Sequence, residues 1–145
     1  MAFEGNFEQV PINDVIAGAD LTDRQNQEML RSYFQKHKPF CIIGGPPCTS
    51  FSNWSRFNRT KWPETWKRSR IVGEALAQVM ADAIELQMRG GRFFLMENPA
   101  GSEIFDLGCM QRLKNIAPVG SITFPQCALG LVSLEGVPLK KMTTL

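Results

Sequence analysis

The sequence predicts an α/β domain built on a mainly parallel sheet. Two observations predict it. Strand-like and helix-like segments alternate from Phe40 to Phe124. Two clusters of structure breakers, Gly44-Gly45-Pro46-Pro47-Cys48 and Glu97-Asn98-Pro99, each follow directly on a short, continuous apolar run. Continuous apolar runs of this length suit strands covered on both faces, and strands alternating with helices suit parallel pairing through right-handed crossovers. The expected arrangement is three-layered, with helices on both sides of the sheet.

The elements follow in order. Residues 1–13 read as an irregular lead-in, and Val15 and Ile16 suggest a short strand over residues 14–20. Thr22 with Gln25 has the pattern of a capping box. Met29, Leu30, Tyr33 and Phe34 recur at helical spacing, so a helix should run from there to about Lys36, short of Pro39. Phe40 to Ile43 is the first buried-strand candidate, bounded by Pro39 and Gly44. Thr49 to about Lys67 is polar and aromatic without periodicity and reads as a long loop, a length that is usually functional or disordered. Ser69 to Met88 reads as a helix, with Val72, Leu76, Val79, Ala83 and Leu86 on one side. Gly90-Gly91 ends it. Phe93 to Met96 is the second strand, Ser102 to about Asn115 a helix with Gly108 inside it, and Val119 to Phe124 a third strand.

At 145 residues the chain has the length of one domain, and 43% hydrophobic with 21% charged residues is ordinary for a globular protein. No apolar run approaches the ~18 residues of a membrane span. Met1 to Val10 is acidic and lacks the apolar core of a secretory signal, so an intracellular location is expected and no membrane partner. The cysteines Cys41, Cys48, Cys109 and Cys127 have no zinc-type spacing, and an intracellular setting argues against disulfides. His37 is the lone histidine, placed between two lysines at a helix end. A Ser-His or Cys-His hydrolase therefore has little to work with.

Ligands of open α/β sheets bind beyond the carboxyl ends of the strands. Both breaker clusters sit there and should project from one sheet edge. A cysteine is often only a small buried hydrophobe. Cys48, however, follows Pro46-Pro47, which stiffen the backbone as a nucleophile requires. Glu97 follows four apolar residues. It is either a structural glutamate paired with Arg92 or capping a helix, or an acid adapted by burial to pass a proton. Asn98 adds donors and acceptors, and Pro99 stiffens the exit. The net charge of +2 is too small to mark a nucleic-acid binder. Locally, Arg56, Arg59, Lys61, Lys67, Arg68 and Arg70 face the single acid Glu64, with Trp54, Trp62 and Trp66 in or beside the same stretch. Such a segment pairs phosphates and stacks on bases, or is a solvated loop pinned to the body by its tryptophans.

At these residues the sequence resembles a known family. Ile43-Gly44-Gly45-Pro46-Pro47-Cys48-Thr49-Ser50-Phe51-Ser52 is similar to the nucleophile motif of the DNA cytosine-5 methyltransferases. Phe94-Leu95-Met96-Glu97-Asn98-Pro99 is similar to their later Glu-Asn motif. Gly18-Ala19-Asp20-Leu21-Thr22-Asp23 resembles the motif whose aspartate contacts the adenine of S-adenosylmethionine. Cys127-Ala128-Leu129-Gly130 and Lys140-Lys141-Met142-Thr143-Thr144 resemble a late pattern of phage-like and retroelement-associated relatives, with Met142 where proline is usual.

The resemblance implies a Rossmann-like methyltransferase fold and S-adenosylmethionine as cofactor, held by Asp20, Leu21 and Pro46. It implies a catalytic set of Cys48, Glu97, Asn98, Pro47 and Ser52. Cys48 would attack C6 of a flipped cytosine, Glu97 would serve N3 and N4, and C5 would take the methyl group. DNA would be held by Arg56, Arg59, Lys61, Arg68 and Arg70, with residues 49–67 closing as a lid.

The family's Gly-rich strand-to-helix turn is absent upstream of Asp20. Residues 1–145 are therefore expected to form a single, partial catalytic domain, with a cofactor-binding segment supplied from elsewhere. The alternative expectation is a catalytically inactive, nucleic-acid-binding remnant of a methyltransferase or of a mobile-element polyprotein.

Overall fold

The structure, a computed structural model, describes residues 20–116 and 118–145. The lead-in over 1–13, the strand over 14–20 apart from Asp20, and the Gly18-Ala19 part of the adenine-contact motif lie outside the described residues.

Helix α1 spans Arg24–His37. Asp23 caps it, its side chain accepting from the Gln25 amide, so the cap sits one residue beyond the Thr22 of the expected capping box. It ends just before Pro39, with Lys38 in the left-handed conformation. Leu30 and Phe34 of its apolar stripe face the long helix α3 (Pro63–Arg89), while Met29 is exposed.

Strands β1 (Cys41–Gly44) and β2 (Phe93–Met96) pair in parallel, with Cys41 opposite Phe93 and Gly44 opposite Met96. This adjacency follows the sequence expectation. Their burial does not. Ile42, Phe94 and Met96 turn toward α3, while Ile43 on the other face is 79% exposed and Phe93 58%. Among the described residues helices cover one face of this pair, so the arrangement has two layers rather than three. The alternate residues of a strand point to opposite faces, and an apolar run does not show whether both find cover.

The expected loop over 49–67 is largely helical. Residues 49–52 form a tight turn in which the Phe51 and Ser52 amides donate to the Cys48 carbonyl at 3.0 and 2.9 Å. Helix α2 (Asn53–Lys61) starts directly after it, and α3 begins at Pro63, six residues before the expected Ser69. Pro63 is suited to a first helical position because its missing N–H would be unpaired there in any case. The face of α3 turned to the core carries Gly73, Ala77, Ala81, Ile84 and Gln87; of the expected stripe, Val79, Ala83 and Leu86 line the cleft toward α1, Ala83 belonging to the core as well, Leu76 is half-buried, and Val72 is exposed. Gly73 permits close approach, since a Cβ there would lie 2.7 Å from both the Phe51 ring and the Ser50 hydroxyl.

The helix expected over Ser102 to Asn115 is broken. A 3-10 turn (Glu103–Asp106) and helix α4 (Gly108–Leu113) flank an extended Leu107.

The mainly parallel sheet is also corrected. The third strand is β4 (Thr123–Pro125), and it does not join β1 and β2. It pairs antiparallel with β5 (Met142–Thr144), which pairs antiparallel with β3 (Asn98–Pro99). The fold is thus mixed α/β: a parallel pair backed by helices, and a small antiparallel sheet at its carboxyl end. No helix of the described residues is long and apolar enough to cross a membrane.

Candidate active site

The carboxyl ends of β1 and β2 bring the two breaker clusters to one edge. The Glu97 amide donates to the Gly44 carbonyl at 2.9 Å, extending the pairing one step beyond the strands. Asn98, almost wholly buried, ties the clusters together. Its Nδ2 donates to the Pro46 carbonyl at 2.8 Å, and its Oδ1 accepts from the Ser102 hydroxyl at 2.7 Å. Cys48 is a free, half-buried cysteine at the end of this stapled loop. Pro47 is exposed beside it, and Ser52 stands at the start of α2 without a side-chain capping bond. The backbone on both sides of Cys48 is therefore held, by Asn98 before it and by the 49–52 turn after it.

Glu97 is half-buried and does not pair with Arg92. Its Oε1 accepts from the Thr143 hydroxyl and from Gln126 Nε2, the latter at 3.4 Å. Its Oε2 lies 3.9 Å from where a Cβ on Gly45 would stand, over the loop that carries Cys48. Among the described residues Glu97 makes no ion pair; its partners are neutral donors. Sequence reasoning assigned no role to Thr143, Gln126 or Ser102. Thr143 lay in a stretch singled out only by resemblance, and Ser102 could have been found only as a hydroxyl one turn beyond Asn98.

The basic segment divides in two. Arg70 is only 18% exposed: its guanidinium donates to Glu74 at 2.7 Å, to Glu103 at 2.9 Å and to the Ser50 carbonyl at 3.2 Å, and it lies over the Phe51 ring. Burial works against its charge, but the bonds to Glu74 and Glu103 outweigh that and raise its pKa. Arg70 thus braces the turn after Cys48 and is not turned outward to phosphate. Arg56, Arg59, Lys61, Lys67 and Arg68 are exposed. Arg56 lies 3.6 Å from Glu103 and Lys67 2.9 Å from Glu64. Arg59 rests on the Trp66 ring, and Lys61 stands over Trp62 and Phe57. Trp54 is 81% exposed on α2, Trp62 is half exposed, and Trp66 packs inward with its indole N–H buried.

Asp20 and Leu21 lie at the entry to α1. The Asp20 carboxylate accepts from the Thr22 hydroxyl and amide at 2.7 and 2.9 Å, and these bonds lower its pKa. The Leu21 carbonyl accepts from Gln27. A cavity of about 340 Å³ lies between α1 and α3, lined by Arg24, Glu28, Phe34 and Asp82 among others. None of Asp20, Leu21, Pro46, Cys48 and Glu97 lines it. For S-adenosylmethionine the described residues offer a carboxylate engaged in its own turn and no glycine-rich cradle. They do not fit the cofactor.

Compared with protein-family models, with curated proteins and with solved structures, the chain matches none.

Proposed function

We propose that this chain carries the nucleophile half of a cytosine-5 methyltransferase-type centre acting on DNA, within a Rossmann-like architecture whose parallel pair is β1 and β2. S-Adenosylmethionine, in this reading, supplies the methyl group and is held by groups other than the residues described above. The observation that carries the reading is the stapled edge. A stiffened cysteine and a glutamate follow adjacent parallel strands, joined by the Asn98 bond to Pro46.

The chemistry of the chain's own residues is an addition. Cys48 as thiolate forms a bond to C6 of cytosine, and the C5–C6 π pair moves into the ring. Glu97 gives a proton to N3 while accepting from the N4 amino group, which leaves C5 nucleophilic. Asn98 holds the loop so that sulfur meets the face of the ring at C6. The exposed bases Arg56, Arg59, Lys61 and Arg68 pair phosphates as α2 and the start of α3 lie along the DNA.

The test is a DNA duplex bearing one 5-azacytosine, incubated with the protein alone. Nitrogen at position 5 makes C6 more electron-poor, so the sulfur adds, the displaced pair moves into the ring nitrogens and Glu97 supplies the one proton at N3; no methyl donor is consumed. A denaturation-resistant adduct is expected, and Cys48→Ser should abolish it because a hydroxyl is far less ionised than a thiol. An adduct that persists in Cys48→Ser refutes the assignment. A second reading, DNA binding without catalysis, is favoured by the lack of a cofactor cradle among the described residues. It predicts salt-dependent DNA binding with no adduct.

A further inference from the structure

We propose that Thr143 is the positioning residue for the Glu97 carboxylate, so that the last strand of the chain aims the acid of the site. The inference rests on the reading of Glu97 given above and adds a group to it.

The geometry has three parts. First, β5 is registered on the Glu-Asn segment: Thr144 lies opposite Asn98 and Thr143 opposite Pro99, and the Ala100 amide donates to the Met142 carbonyl at 3.1 Å. This pairing leaves Thr143 no freedom to slide. Second, Thr143 is 1% exposed, and its hydroxyl meets both Glu97 Oε1 and, at 3.2 Å, the Asn98 carbonyl. A hydroxyl has one proton to give. Shared between a carboxylate and a carbonyl, it goes to the charged acceptor, the stronger bond. Third, Gln126 reaches the same oxygen, so both donors act on Oε1 and leave Oε2 over Gly45. One oxygen is fixed and the other is presented to the loop of Cys48.

A glutamate carries three rotatable bonds, and without a fixed oxygen its carboxyl samples several rotamers. Thr143 selects one. Both donors, the Thr143 hydroxyl and the Gln126 amide, are neutral.

The experiment uses the whole chain and the 5-azacytosine duplex, reading the maximal rate of adduct formation and the half-saturating DNA concentration separately. Thr143→Val keeps shape and removes the hydroxyl; Thr143→Ser keeps the hydroxyl. Misplacing a reacting group by about 1 Å costs on the order of a hundredfold. The valine variant should therefore lose about ten- to a hundredfold in maximal rate while its half-saturating concentration stays within about twofold. The serine variant should recover to within about threefold of the parent rate. Melting curves establish that the variants are folded.

Adduct formation unchanged in a folded valine variant overturns the positioning role and leaves the proposed function standing. A parent protein that forms no adduct overturns the proposed function itself. Should the valine variant not fold, the Thr143 hydroxyl proton of the parent decides. A resonance protected from solvent and close in space to the Glu97 side chain supports the proposal. A hydroxyl exchanging freely with water overturns it.

Discussion

Replacing Asn98 by aspartate exchanges one donor for an acceptor at the staple between the two halves of the site. Asn98 is 1% exposed, gives a proton to the Pro46 carbonyl at 2.8 Å and accepts one from Ser102 at 2.7 Å. The introduced carboxyl keeps the Ser102 bond. Toward Pro46 it must either stay ionised, oxygen against oxygen without water, or take up a proton and donate as the amide does. Holding a proton at pH 7 on a group whose ordinary pKa is about 3.9 costs about 4 kcal/mol at 1.36 kcal/mol per unit. Remaining ionised leaves the carbonyl unpaired and a charge desolvated, at about 3 kcal/mol or more. The variant should therefore lose about 3–4 kcal/mol at pH 7, a large share of a typical domain's stability. The sign with pH follows from proton binding. The folded variant retains a proton that the unfolded chain releases, so its stability falls as pH rises above about 3.9. At pH 5 the loss should shrink to about 1.5 kcal/mol. Urea unfolding of parent and variant at both pH values measures this. A loss below about 1 kcal/mol at pH 7, or one that does not change between pH 5 and pH 7, would refute the reasoning.

Three further outcomes are expected. Gln87→Leu should cost about 2–4 kcal/mol in urea unfolding, because Gln87 donates to the Pro39 and Phe93 carbonyls at 2.9 and 3.0 Å and accepts from Arg92 at 2.6 Å; parent-like stability would contradict this. Arg70→Ala should lower the melting temperature, whereas Arg68→Ala should leave it unchanged and flatten the salt dependence of DNA binding by about 1 contact; the opposite pattern would reverse their assigned roles. Burial raises the pKa of Cys109, so at pH 8 it should react with iodoacetamide more slowly than exposed Cys41, as mass spectrometry of the alkylated peptides would show; equal rates would exclude that burial.

What the sequence disclosed was its punctuation. Pro39 and Gly44 bound the first strand, Gly90-Gly91 ends the long helix, and each breaker cluster stands beyond a strand, so the convergence of the two motifs is legible in the sequence. Helix α2 could not. Ser55 is the only buried residue on it, and its aromatic residues Trp54 and Phe57 face solvent. A helix with so little apolar stripe turned inward leaves no periodic signal. In the sequence Arg70 reads as one of the surface charges because its partner Glu103 lies far along the chain. The pairing of β4 with β5 rather than with β1 and β2 is hidden for the same reason, since the partner strand begins only at Met142, after a turn closed by the Val132–Pro138 bridge. Three-residue strands such as β5 carry too short a pattern to announce themselves.

The helical character of the segment after Cys48 changes what closing on DNA would involve. A flexible loop would have to be ordered residue by residue, at roughly 1–2 kcal/mol each in backbone entropy. Here the turn and α2 are already formed and braced. Arg70 holds the Ser50 carbonyl, Glu74 and Glu103 together, and the Glu103 amide donates to the Phe51 carbonyl at 2.9 Å. The bracing joins α3, the turn after Cys48 and the segment after Glu97 at a single guanidinium. Any movement of α2 toward a bound strand must then either carry Cys48 with it or break that junction. If the chain acts on DNA as proposed, the simpler course is that Cys48 and the exposed Trp54 face keep a fixed spacing and that DNA adapts to them. A base drawn out of its stack toward Cys48 would leave its neighbours beside a rigid aromatic and basic face, so affinity and placement of the reacting ring would be set by one preformed surface.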